Sequence, residues 1–354
     1  MIDIDHARTF RFLGTQPSTI PALIQTGLLV EAWRTTYTFT TPDNNIELQV
    51  QFTQPTAIED PYTYVTFNVR NFDRQSHQVR IYFEEGPMLG INDRNEKIFW
   101  TRMDGDRTIL VMHAYNQIPF GIRGDATRNN WGYAYLVSGN QSITKGYQGS
   151  GEQLRQAFVN HQPMPADDNR KPRSANDQSP GSALVIDFGP VSNEPVSTYV
   201  VFLFDDVYSM LYFEEYQEPC WHIELDNNVN LLINEAVTYY QSNMQDVTDS
   251  NLLLATLLTN TGGNQYASLG LLVVRQVTGS LTRTWSSQQN RSRLYMKEIS
   301  SDGDVSTVDV IFPSSPFFLW LHPEMLRDLV LPILAYANNE TTIDYNLPWA
   351  PHHL

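Results

Sequence analysis

At 354 residues, 41% of them hydrophobic, the chain has the length for two domains or one large one and enough apolar side chains to bury a core. Its 39 acidic residues outnumber 23 basic ones, and the formal net charge of −16 sets up a field that repels phosphate backbones and argues against nucleic acid as a partner. No apolar run reaches the roughly 18 residues of a membrane span, and Met1 to Phe12 has neither a basic n-region nor an apolar h-region, so the chain as given carries no membrane partner signal and no signal peptide.

From Leu28 to about Ile223 the apolar residues mostly alternate with period two. Thr35 to Thr40, Ile46 to Phe52, Tyr62 to Val69 and Gln78 to Phe83 read as short strands separated by turn clusters such as Pro42-Asp-Asn-Asn and Pro55 to Pro61. Further strands are predicted at Lys97 to Met103, Thr108 to Ala114, Gly132 to Val137, Ala183 to Phe188 and Ser197 to Phe204. Strands at this spacing without intervening helices predict an antiparallel β-sandwich over residues 1–222. From Gly139 to Gly181 the pattern breaks: Gly, Ser, Asn, Asp and Pro abound, and only Glu152 to Asn160 reads as a short helix, so the segment is a binding loop or a solvated excursion.

After Trp221 the period changes to that of helices, which defines a second region, residues 223–354. Asp226 or Asn227 caps a first helix whose stripe includes Val229, Leu232, Ile233, Ala236, Val237 and Tyr240. A second is predicted from Asp249 to Thr259, stopped by Gly262-Gly263, and a third from Gln265 to Leu281. Thr307 to Phe312 reads as extended, with Val308, Val310 and Phe312 on one side and Asp309 on the other. A last helix starts at Pro323-Glu324 and should kink or restart at Pro332. The class is therefore β plus α, a sandwich followed by helices that bury their stripes on one another.

Cys220 stands alone, so no intrachain disulfide forms, and a buried inert thiol is favoured over a nucleophile. The histidines show no metal-ligand spacing, and no zinc motif, P-loop, GxSxG elbow or nicotinamide fingerprint is present, so no metal and no cofactor is expected. Asp302-Gly-Asp304 is too short for an EF-hand loop and marks a turn. Asn140, Asn290 and Asn339 each open an N-glycosylation sequon, which tilts the expectation toward an extracellular or secreted protein.

The acids that draw notice are Glu298 and Asp309, which flank the Ser300-Ser-Asp-Gly303 bend. Two carboxyls approaching each other suit hydrolysis of an amide or a glycosidic bond, one holding a proton and the other taking one from water. Either acid can instead be structural: Glu298 paired with Lys297 or an arginine, Asp309 capping a helix. His352 is a candidate for orienting substrate or acting as base. Lys297, Trp131 and Trp349 are the candidate substrate-binding residues, although packing in a core is the more ordinary use of a tryptophan.

The chain also resembles the fungal and bacterial glutaminase A-like family. The residues that carry the resemblance run nearly end to end: Arg11-Phe-Leu-Gly, Asn130-Trp-Gly-Tyr, Pro172-Arg173 with Asn176-Asp177, Asp187-Phe-Gly, Asp205-Asp-Val-Tyr-Ser-Met-Leu-Tyr-Phe, and Gly262-Gly263 with Tyr266-Ala267. The most specific are Lys297-Glu-Ile-Ser-Ser-Asp-Gly, Thr307-Val-Asp-Val-Ile-Phe-Pro-Ser-Ser-Pro and Ala350-Pro-His352. Asn130 and His353 stand where the family usually has Asp. The resemblance implies a sandwich joined to the first helices of an (α/α)6 toroid of the six-hairpin glycosidase type, with the helical domain incomplete and the chain truncated at both ends. It implies a hydrolase releasing ammonia from L-glutamine. Two alternatives stand beside it: an enzyme acting on glycosides, and a binding protein without catalysis.

Overall fold

The structure is a computed structural model that describes residues 1–56, 60–103, 105–122, 126–298, 303–339, 351–352 and 354. The strands of the first part are β1 (Ile2–Ile4), β2 (Arg8–Phe10), β3 (Ile24–Val30), β4 (Arg34–Thr40), β5 (Ile46–Thr53), β6 (Tyr62–Asn71), β7 (His77–Glu85), β8 (Lys97–Met103), β9 (Ile109–Ala114), β10 (Tyr133–Ser138) and β11 (Thr144–Ser150). Helix α1 (Gly151–Val159) follows, then β12 (Arg173–Ser174), β13 (Pro180–Val191), β14 (Val196–Asp205), β15 (Met210–Tyr212) and β16 (Glu215–Pro219). The rest is α2 (Cys220–Glu224), α3 (Val229–Gly279), β17 (Leu281–Ser286), β18 (Arg291–Met296), α4 (Val308–Leu321) and α5 (Pro323–Ala337).

Among the described residues these strands form three antiparallel sheets: β11-β13-β7-β1-β2, β12-β8-β9-β10-β14-β6-β5-β4-β3, and β15-β16-β17-β18. The first two face each other as a sandwich. Strand alternation decides which side chain goes where. Val65, Phe67 and Val69 of β6 point into the sandwich with Ile2, Ile4, Ile81, Leu184 and Ile186 from the facing sheet. Tyr62 and Tyr64 of the same strand point the other way and pack, with Tyr135, Tyr199 and Leu203, against Trp221, Leu232, Ile233 and Ala236 of α2 and α3. The large sheet is thus covered on both faces, and the helical part lies on its outer one. Tyr64 Oη donates to the Ala236 carbonyl at 2.6 Å, which satisfies a hydroxyl that is wholly buried.

The helix α3 is broken once. Gly263 adopts φ +80°, ψ −178°, and the segments on either side fold back so that Leu254 and Leu258 pack with Ala267, Leu271 and Val274. A left-handed φ of this kind is strained for any residue with a Cβ, which is why the double glycine sits there. The expected stop at Gly262-Gly263 is therefore found. The two helices predicted before it are one: Met244 and Val247 carry the apolar stripe across residues 241–248, where neither Gly nor Pro interrupts.

Other expectations are corrected. Residues 308–312 are helical, not extended: Ile311, Ser314 and Phe318 are buried at helical spacing in α4, whereas Phe312 is 78% exposed. The β-branched alternation was too short to outweigh packing of Ile311 and Phe318 on Leu329 and Ile333 of α5. Within the loop expected at 139–181, β11 pairs along its length with β13, so a partner strand supplies the order that Gly-rich local sequence lacks. Pro332 does not restart α5, which runs through it from Pro323 to Ala337; it is buried, and its carbonyl accepts from Tyr212 Oη at 2.7 Å. On either side of residues 222 and 223, β16 and β17 pair in one sheet through Glu218↔Trp285 and Pro219↔Thr284.

Candidate functional site

A cleft of about 610 Å³ opens where the sandwich meets the last sheet, lined by the loop before β10, the link from β14 to β15 and the turn after β18. Phe120, Arg128 and Trp131 come from the first, Asp206, Tyr208 and Ser209 from the second, and Lys297, Glu298 and Asp304 from the third.

Gly132 explains why the first two segments meet so closely. Its φ is +91°, and a Cβ there would stand 2.6 Å from the Asp205 carbonyl oxygen, so only glycine fits. The neighbouring Trp131 then lies against Phe120, ring centroids 4.8 Å apart, and donates its indole N–H to the Tyr208 carbonyl at 3.1 Å. Trp131 is 8% exposed, so it is a packed wall of the cleft more than a free stacking platform.

Asp206 follows the end of β14. Its Oδ1 accepts from Ser209 Oγ at 2.9 Å. Burial pushes its carboxyl above the usual range; Lys297, the Ser209 hydrogen bond and His222 pull it down, Asp205 pushes it up further, and burial prevails. Behind it, His222 of α2 is held from both sides, Nε2 to Asp205 Oδ1 at 3.0 Å and Nδ1 to Glu218 Oε2 at 2.9 Å. Burial alone would lower the His222 pKa, but the two carboxylates raise it above its ordinary value.

Glu298 is fixed by backbone and side chain. Its N–H donates to the Asp304 carbonyl at 3.0 Å, and its Oε2 accepts from Thr307 Oγ1 at 3.0 Å. Thr307 is the residue before the first turn of α4, so the start of that helix orients the acid. The structure therefore brings Glu298, Lys297 and Trp131 to one cleft. Asp309 and His352 do not line it: their side chains are 69% and 63% exposed and face each other, Asp309 Oδ1 to His352 Nε2 at 3.3 Å. Asp309 sits in the first turn of α4, where an acid is favoured by the helix dipole. Trp349, Ser300 to Asp302 and His353 fall outside the described residues. Asn140 and Asn290 are on exposed turns and Asn339 is half-buried after α5.

Asp206 and His222 belong to no chemical motif in the sequence. A signal for the first was present: a double acid closing a strand is placed where a sheet meets a cleft. In the cleft itself, among the described residues, no three His, Cys, Asp or Glu side chains converge within metal-ligating reach. No described helix is long and apolar enough to cross a membrane.

This is a β-sandwich-plus-helix protein with three carboxyls and a lysine in a cleft between its parts. Residues 33–252 match a family described as "Domain of unknown function (DUF5127)", and residues 263–354 match "Glutaminase A six helical-hairpin domain". The chain belongs to the glutaminase A-like family. It is 23% identical over 348 residues to "Glutaminase A" of Aspergillus oryzae, a match covering 96% of this chain and 50% of that protein. With "Probable glutaminase/05536" of Arthroderma benhamiae it shares 40% identity over 85 residues, 22% of this chain and 10% of that protein. The chain thus spans half or less of the length of these relatives. A heparan sulfate lyase of Pedobacter heparinus aligns at 10% identity over 56% of this chain and 23% of its own, with a TM-score of 0.23, too slight to carry any inference.

Proposed function

We propose that the cleft binds L-glutamine and hydrolyses its side-chain amide, releasing ammonia. The observation that carries this reading is the pairing in one cleft of two carboxyls with unlike surroundings: Asp206, which burial keeps protonated to higher pH, and Glu298, which accepts a hydroxyl hydrogen bond. Amide hydrolysis needs that inequality, a proton donor for the departing nitrogen and a base for the attacking water. Asp206 is the donor in this reading, Glu298 the base. Lys297 and the exposed Arg128 supply cations for the substrate carboxylate, and Asp304 an anion for its ammonium group. The names of the relatives support glutamine as the substrate class.

A glycoside is the second reading, favoured by Phe120 and Tyr208 along the cleft, since aromatic faces suit sugar rings. Ammonia release from glutamine, assayed beside sugar release from aryl glycosides, decides between them. Release of sugar alone would overturn the first. Asp206→Asn is expected to lower ammonia release by roughly 100-fold or more, the usual cost of losing a positioned acid, while the melting temperature holds or rises. A variant as active as the native chain would remove Asp206 from the reaction.

A further inference from the structure

On the far side of the sandwich a second group of polar side chains converges. Ile2 and Ile4 of β1 point into the core, so the intervening Asp3 points outward, under α1. Its cross-strand neighbour on β7 is Arg80, whose Nε and Nη2 both donate to Asp3 Oδ2, at 3.0 and 2.7 Å. The Arg80 guanidinium is itself held over the Phe158 ring of α1, 5.2 Å from the centroid. Asp3 is 1% exposed, and its Oδ1, turned away from Arg80, is buried and accepts no hydrogen bond. A buried carboxylate oxygen left without a donor needs a reason.

Two imidazoles frame it. His161, just beyond the end of α1, places Nδ1 3.5 Å from Asp3 Oδ1, and His6, in the turn between β1 and β2, places Nδ1 3.3 Å from Asp3 Oδ2. One ligand atom from each of the three residues lies within 4.8 Å of the other two. Ligands about 2.0–2.1 Å from a tetrahedral zinc ion stand roughly 3.3 Å from one another, close to the 3.3 and 3.5 Å between each imidazole and the carboxylate oxygen nearest it. Arg80 would fix the carboxylate's orientation from outside the ligand set, as the hydrogen-bonded neighbours of metal ligands do. The two rings meet edge to face with centroids 6.0 Å apart, which leaves both Nδ1 atoms turned toward Asp3.

We propose that Asp3, His6 and His161 form a site for a divalent transition-metal ion of the zinc type, with a fourth position left to water. Imidazole and carboxylate together select such ions over calcium or magnesium, which prefer all-oxygen shells. The sequence hid the site because its two histidines are more than 150 residues apart in the chain, roughly the reverse of the short spacings by which zinc motifs are recognised. The ion clamps the β1–β2 turn to the end of α1, and so ties the edge of the five-stranded sheet to the helix that covers it. This role is separate from the cleft and from any hydrolysis there.

The test is titration of Zn²⁺ alone into the chain at about pH 7.5, read by calorimetry and by thermal shift, with Co²⁺ absorption reporting the geometry. One saturable ion per chain, a higher melting temperature and tetrahedral Co²⁺ bands are expected. His6→Gln and His161→Gln, both at exposed positions that the fold tolerates, should each weaken binding by at least tenfold, and His352→Gln should leave it unchanged. Absence of saturable binding would overturn the site, leaving an imidazole–carboxylate cluster only. Binding undiminished in both His6→Gln and His161→Gln would also overturn it, since the ion would then sit elsewhere.

Discussion

Two carboxyls show how differently one functional group is used here. Asp206 faces a cleft, with a hydroxyl and a lysine to meet it. Glu85, at the end of β7, is 4% exposed, neither of its oxygens accepts a hydrogen bond, and burial raises its pKa from 4.5 to about 8. Because the folded value lies above the unfolded one, Glu85 costs nothing while protonated in both states, and stability falls as pH rises from 4.5 through about 8. That gap corresponds to on the order of 5 kcal/mol once the carboxyl is ionised. His222 acts in the same direction: its raised pKa adds stability below 6.5 that is lost as pH rises through the folded value. The chain should be most stable in mild acid. Glu85→Gln should match the native chain in urea melts near pH 5 and exceed it by a few kcal/mol near pH 8.5; equal curves at both would show that Glu85 is solvated.

The elements teach where sequence signals hold. The longer sandwich strands were legible where an apolar face alternates along them, as β5 does with Ile46, Leu48 and Val50, whereas the three-residue β1 and β2 were not. The β11 strand was not, because its order comes from β13 across a wide gap in sequence. The start of α4 was misread because five residues of β-branched alternation look alike in a strand and in a buried helix. In the cleft, Glu298, Lys297 and Trp131 were found through their motifs, whereas Asp206 reaches the same place only through the tertiary approach of Gly132 to Asp205. Gly263 is the element-scale feature most open to test. Gly263→Ala forces a Cβ into φ +80°, and should lower stability by about 1–2 kcal/mol in denaturant melts with little effect on the cleft. No loss would mean that the break in α3 can move to another residue.

At the scale of the molecule, the large sheet is the shared wall: one face closes the sandwich and the other seats α2 and the first half of α3. The last sheet then joins chain before α3 to chain after it, since β16 pairs with β17 across the whole of that helix. Such a pairing closes a long loop if attempted on an extended chain. The bend at Gly263 brings the two ends of α3 to the same side, so β16 and β17 become neighbours once the helical hairpin has formed. The order of events during folding follows. In pulsed hydrogen exchange, amides of α3 near Leu254 and Leu271 should gain protection before those of β17, and protection of β17 ahead of α3 would contradict it. A glycine that costs the native helix its continuity is thus what makes the distant sheet quick to assemble.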